Sequence, residues 1–313
     1  MQNLISLFFL FSLAELSLAA SFNGFNLENA TIPNDEIVSG GPPRDGIPAL
    51  DYPEFEMAQE ADWLRESDRI MGVAIDGEAR AYPVRILDWH EIVNDRIGNQ
   101  FIAVTYCPLC GTGMVFASNV GDQALTFGVS GLLYNSDVLM YDRNTESLWS
   151  QIMSEAVAGP LVGTPLPQLP VTYTTWSSWR ERHPETKVLS RNTGFNRDYR
   201  RGPYGNYAAT SRLMFDVSHR PPRDYHPKEY VLGLEINGQY KAYPFKELRE
   251  LGQASFSDEL GGEEVTIVWD DGAESATVLD NTGRQLPAVT GFWFAWYTFH
   301  PETLVFKHAE AEQ

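Results

Sequence analysis

Gly72-Val73-Ala74-Ile75-Asp76-Gly77-Glu78-Ala79-Arg80-Ala81-Tyr82-Pro83 reads as a β-hairpin, and Gly233-Leu234-Glu235-Ile236-Asn237-Gly238-Gln239-Tyr240-Lys241-Ala242-Tyr243-Pro244 reads as the same hairpin again. Each alternates apolar and polar positions around a dipeptide, Asp76-Gly77 or Asn237-Gly238, suited to a two-residue turn. The two copies lie 161 residues apart (233 − 72). Two more matches follow in the same order. Val104 to Cys107 aligns with Ile267 to Asp270 at an offset of 163 (270 − 107), and Trp179 with His183-Pro184-Glu185-Thr186 aligns with Trp296 and His300-Pro301-Glu302-Thr303 at 117 (296 − 179). The fall from 163 to 117 marks an insertion of 46 residues (163 − 117) in the first half, which contains Ser130 to Asp137 and Leu148 to Gln151.

The spacing therefore predicts an α+β, β-rich protein of two internally duplicated halves packed together, with short peripheral helices. The first half runs over 69–190 and the second over 230–307. Between them, 191–229 is an Arg-, Tyr- and Pro-rich connector, readable either as a surface link or as a lid. Residues 20–68, rich in Asn, Pro, Gly and Asp at their start, read as an extended entry segment with a short helix expected over Ala58 to Ser67. Val84 to Asn94 has apolar residues at helical spacing and predicts one or two turns of helix.

A formal charge of −19 in 313 residues repels phosphate backbones and anionic membrane surfaces, so neither nucleic acid nor lipid is the expected partner. With 8 Trp, 14 Tyr and 17 Phe, the chain has ample material for a core. Leu4 to Ala19 forms an apolar run of signal-peptide length, and Ser17-Leu18-Ala19 suits cleavage before Ala20. Residues 1–19 are thus expected to be a signal peptide. The mature chain is expected in the periplasm or outside the cell without stable membrane insertion, with an exported protein or a small ligand as its partner.

Within the first half lie the chain's 2 cysteines, in Phe101-Ile102-Ala103-Val104-Thr105-Tyr106-Cys107-Pro108-Leu109-Cys110-Gly111-Thr112-Gly113-Met114-Val115-Phe116. Apolar runs on both sides of Cys-Pro-Leu-Cys-Gly predict strand, tight turn, strand. A Cys-X-X-Cys turn of this shape is a metal knuckle, and a closed four-cysteine site is excluded by counting. Three readings remain. Cys107 and Cys110 hold copper or zinc with His90 as third ligand and Met114 as a soft neighbour; or they cycle as a thiol-disulfide oxidoreductase on exported partners; or they form a structural disulfide in a secreted binding module. The soft metal, copper before zinc, leads. Glu91 and Asp95 are candidate partners of the His90 imidazole, and Tyr134, Asn135 and Asp137 either line a pocket or simply form a turn.

The second half acts as an internal control. By the 163-residue offset Cys107 becomes Asp270, Cys110 becomes Ala273 and His90 becomes Gln253, so the scaffold persists without sulfur or imidazole. His183 and His300, by contrast, recur in the same setting in both halves, which favours packing.

Thr105-Tyr106-Cys107-Pro108-Leu109-Cys110-Gly111-Thr112, taken with Trp89-His90-Glu91-Ile92-Val93-Asn94-Asp95, Leu148-Trp149-Ser150-Gln151 and the two His-Pro-Glu-Thr elements, resembles a family of exported prokaryotic proteins catalogued as a domain of unknown function. The likeness runs over roughly residues 65 to 307. It implies a family and no particular activity.

Overall fold

The computed structural model describes residues 21–311, so the signal peptide read at 1–19 lies outside the described residues. After β1 (Ile37–Ser39) and β2 (Phe55–Met57), β3 (Arg69–Ile75) and β4 (Glu78–Pro83) form the first hairpin. Asp76 (φ 49°) and Gly77 (φ 82°) both adopt the left-handed backbone that a twist-matched two-residue turn needs. Pro83 then leads into α1 (Val84–His90), followed by β5 (Ile92–Ile97), β6 (Gln100–Cys107) and β7 (Thr112–Ala117).

The insertion supplies β8 (Phe127–Tyr134), β9 (Asp137–Asp142), β10 (Leu148–Ser150) and β11 (Glu155–Ala158). With β1 they make a sheet of its own, ordered β11-β10-β9-β8-β1. Next come β12 (Gln168–Leu169), β13 (Thr172–Thr175), α2 (Trp176–Arg182) and β14 (Lys187–Leu189).

Beyond the connector, the same element order returns as β15 (Tyr230–Ile236), β16 (Gln239–Pro244), α3 (Phe245–Leu251), β17 (Ser255–Leu260), β18 (Glu263–Asp270), β19 (Ser275–Leu279), β20 (Val289–Phe292), α4 (Trp293–Phe299) and β21 (Leu304–Val305). In the first half β13 runs antiparallel to β3, and β14 parallel to β4. In the second, β20 and β21 stand in the same relation to β15 and β16.

The tryptophan helices explain two glycines. A Cβ on Gly72 would come within 2.3 Å of the Trp179 ring, and one on Gly233 within 2.2 Å of Trp296. Each indole N–H donates to a threonine hydroxyl, Trp179 to Thr186 and Trp296 to Thr303, both at 2.9 Å. His183 and His300 pack on those indoles, at 4.0 and 4.2 Å between ring centroids.

The halves meet through strands. β20 of the second half joins β7 of the first at Thr290 opposite Gly113, giving one sheet ordered β21-β16-β15-β20-β7-β6-β5 with β12 on β7. β13 of the first half lies in turn beside β19 of the second, and Gln285 Nε2 donates to Val171 O at 3.1 Å. Two further sheets, β13-β3-β4-β14-β2 and β17-β18-β19, complete the β-rich molecule. No helix among the described residues is long and apolar enough to cross a membrane.

Two local expectations are corrected. Ala58 to Ser67 is a chain of turns rather than a helix: Leu64 N–H bonds Ala61 O, and Asp68 N–H bonds Arg65 O, at three-residue spacing. Ala58, Ala61 and Leu64 still bury their side chains with Trp176 and Trp179, which is why their spacing looked helical. In addition, α1 ends at His90 and α3 at Leu251, so the offset there is still 161 (251 − 90). His90 stands opposite Leu251, not Gln253, and Glu91 stands opposite Gly252. The extra two residues enter the second half only after the helix.

Candidate metal centre

The apolar strands β6 and β7 pair through Cys107 opposite Thr112, and the turn between them is drawn tight by Cys110 N–H bonding Cys107 O at 3.2 Å. Gly111 turns the chain at φ 62° and lies against the Phe292 ring, at 3.0 Å from where a side chain would begin. Phe292 N–H also bonds Cys110 O at 2.8 Å, so the second half holds the cysteine turn from behind. A buried polar network braces it from the insertion. Thr112 Oγ1 donates to Gln151 Oε1 at 2.7 Å, Gln151 Nε2 to Thr105 Oγ1 at 2.8 Å, and Thr105 Oγ1 to Met114 O at 3.0 Å. Fully satisfied inside the protein, such a chain of bonds fixes geometry.

Facing the sulfurs is the β8–β9 hairpin. Its two-residue turn, Asn135 (φ 52°) and Ser136 (φ 69°), is left-handed at both positions, and the second is normally glycine. Ser136 is fully buried there, its backbone oxygen 3.2 Å from Cys110 Sγ and 3.8 Å from Cys107 Sγ. Asp137 follows at once, and its carboxylate and the two thiols lie within 4.8 Å of one another. Both cysteines are free thiols and buried.

Several polar atoms here are left over. Asp137 Oδ2 accepts from Ile152 N–H at 3.1 Å and the carboxyl otherwise meets only the two thiols, while Ser136 Oγ and Tyr207 OH are buried without a partner. Each such atom costs about 1–3 kcal/mol when nothing binds it. Burial raises the proton affinity of Asp137 to about 7. It also raises both thiols, with the Asp137 charge adding to the effect. Glu91, at the end of α1 and 7% exposed, is likewise raised to about 7 by burial, and the Asp137 and Asp88 charges add to that shift. Among the described residues no Lys or Arg makes an ion pair with Asp137 or Glu91, so the two thiols and the carboxyl form a buried donor set whose chemistry suits a metal ion.

The expected residues divide. Cys107 and Cys110 are brought together, and Met114 packs in the same apolar cluster. His90 is not brought to them: its Nδ1 is 2.7 Å from Pro48 O and its Nε2 is 2.7 Å from Tyr199 OH, so both ring nitrogens are engaged. Asp137 occupies the place assigned to His90. Asp95 is also elsewhere, holding Arg80 at 2.5 Å and Tyr82 OH at 2.6 Å, just as Asp258 holds Lys241 and Tyr243 in the second half. Tyr134 packs edge-on to Phe299, and Asn135 Oδ1 accepts from Ser218 N–H at 2.7 Å. Glu91 does sit beside the centre, as a separate acid rather than an orienter of His90.

Over this face lies the connector. Tyr204 OH donates to Glu91 Oε1 at 3.2 Å, and buried Tyr207 joins the apolar cluster around the cysteines. Lys228, buried and lowered to about 8 by desolvation, ties the connector down by donating to the carbonyls of Tyr207, Thr210 and Arg212 at 2.6, 2.7 and 2.7 Å. Aromatic side chains, rather than the arginines conspicuous in the sequence, make most of this cover.

A sequence profile described as "Protein of unknown function (DUF3179)" matches residues 44–303. The chain belongs to the DUF3179 family. No curated protein and no solved structure matches it. In this DUF3179 chain Asp137 could be read from the sequence as a pocket residue but not as a partner of the cysteines, because it lies 27 residues beyond Cys110 (137 − 110). The signal that could have found it is Asn135-Ser136, a hairpin turn lacking the usual glycine. Glu91 could have been found by setting it against Gly252.

Proposed function

We propose that this protein binds one divalent zinc ion through Cys107, Cys110 and Asp137, leaving a fourth position for water or a ligand. The observation that carries the reading is the convergence of two thiols and a carboxylate within 4.8 Å of one another in a buried site. A carboxylate in place of the imidazole moves the preference from copper to zinc, because zinc takes thiolate and carboxylate together while Cu(I) favours sulfur. The absence of these groups at Asp270 and Ala273 fits a site specialised within a duplicated scaffold, and the apolar leader fits action outside the cytoplasm.

Reduced protein freed of metal is expected to take up about one Zn(II) per chain, releasing protons as the thiols ionise. Cys107→Ser should abolish uptake, and Asp137→Asn should weaken it about tenfold or more. Competition titration against a chromogenic chelator measures both; tight stoichiometric binding in the Cys107→Ser chain defeats the reading. The competing assignment as a dithiol oxidoreductase is disfavoured by access, because Cys107 is 2% exposed and Cys110 is fully buried, whereas exchange needs a sulfur that a partner can reach. A reversible dithiol potential close to those of exchange catalysts, in protein that takes up no metal, would reinstate it.

A further inference from the structure

Beside the centre lies a second feature, which shares only Glu91 with the acidic groups described above. A cavity of about 380 Å³ opens between the end of α1, the β8–β9 hairpin and the connector. Its walls are largely apolar, among them Leu109, Leu133 and Phe215. Its polar end is built from Asp88, Trp89 and Glu91 at the end of α1, together with Tyr204 and Arg197, while His90 between them turns inward. This volume holds a molecule of roughly ten to fifteen non-hydrogen atoms.

The charges in that end do not balance. Two carboxyl groups face one guanidinium, and neither nearby arginine makes an ion pair with them, although the Arg85 charge is felt at Asp88. Arg85 is paired with Asp68, while Arg197 lies over the Trp89 ring, its Cζ 5.5 Å from the ring centroid. Glu91 accepts only a neutral hydroxyl, that of Tyr204. Glu91 also holds a left-handed backbone (φ 58°) that its counterpart Gly252 (φ 67°) adopts without strain. A strained, buried acid at the mouth of an apolar chamber indicates a ligand-facing group more than a structural one. Trp89 and Tyr204 present aromatic rings at the same end, and such rings attract cations when water is excluded.

We propose that this cavity binds a small organic cation with an apolar tail, its ammonium head held by Asp88 and Glu91 against Trp89 and Tyr204. The tail fills the apolar chamber toward Leu133 and Phe215. Arg197 sits on Trp89 as an internal cation that the incoming head displaces, which makes it a competitor for the site. None of these residues is among the three metal-binding groups, although Glu91 borders them, so the probes are titrated into metal-free and zinc-loaded protein alike.

The test uses the full mature chain and two uncharged-tail probes of one shape. One is the hexyl ether of choline; the other is its carbon isostere, in which a tert-butyl group replaces the trimethylammonium head. Quenching of tryptophan fluorescence at pH 8 reads binding, with hexanoate as an anionic control. The cation is expected to bind about tenfold or more tighter than its neutral isostere, with hexanoate weakest. The Asp88→Asn/Glu91→Gln double variant should lose that preference while keeping the neutral probe. Arg197 is exposed, so Arg197→Ala can be made without disturbing the core and should tighten the cation alone. Equal or tighter binding of the neutral isostere or of hexanoate overturns the proposal, and so does a cation preference that Arg197→Ala weakens.

Discussion

Glu91 carries a cost that its position does not demand. At φ 58° and ψ −33° it is the residue after a helix, where a side chain costs about 1–2 kcal/mol and glycine almost nothing. Glu91→Gly should therefore raise stability by about 1 kcal/mol in urea unfolding, even though it deletes a hydrogen bond to Tyr204. The proton balance has the same sign. Burial lifts the Glu91 carboxyl from 4.5 to about 7, so the folded chain holds a proton that the unfolded chain has released. Its contribution to stability is present at acidic pH and is lost as pH rises from about 4.5 to about 7. The wild-type chain should lose stability over that window more steeply than Glu91→Gly, and unfolding midpoints measured from pH 4 to pH 8 check the difference. Equal slopes would mean that Glu91 is solvated in solution.

At the scale of elements, the two hairpins and their tryptophan helices form a matched pair whose contacts can be probed in parallel. Gly72→Ala and Gly233→Ala each place a methyl inside an indole ring that is itself fixed by a threonine hydroxyl, so neither ring can simply swing away. Each should cost about 1–3 kcal/mol, and by similar amounts, in chemical denaturation. A large loss at one position and none at the other would show the two halves to be packed differently. These elements were legible because their signals are local: Asp76-Gly77 and Asn237-Gly238 specify their turns, and alternation specifies which face is buried. The site was legible only in part. Cys107 and Cys110 lie on one turn, but the oxygen that joins them comes from another hairpin, and His90 is held by groups 42 and 109 residues distant. Proximity in sequence made His90 look like the third ligand; tertiary contacts with Pro48 and Tyr199 decided otherwise. The short turns at 58–68 illustrate the same limit, since apolar residues spaced by three fit a helix or a run of turns equally well.

For the whole molecule, the connector turns access to the sulfurs into a measurable equilibrium. Cys107 is 2% exposed and Cys110 is inaccessible, and Tyr207 closes over them from 191–229. Alkylation of the metal-free thiols should be slow and limited by opening, with Tyr207→Ala speeding it about tenfold or more under native conditions. Equal labelling rates in the two proteins would place the opening somewhere other than the connector. Zinc should suppress labelling altogether, because a coordinated thiolate is not free to attack.

The strand Val289–Phe292 gives the cysteine-free half a reason to persist. It contributes no donor atom, yet it extends the sheet that carries Cys107 and sets the Phe292 ring against Gly111. The half that has no sulfur of its own thereby forms the back wall of the cysteine turn. Substitutions at Phe292, 182 residues from Cys110 (292 − 110), should act on the cysteine turn as a loosened mounting acts on an instrument, without touching either sulfur.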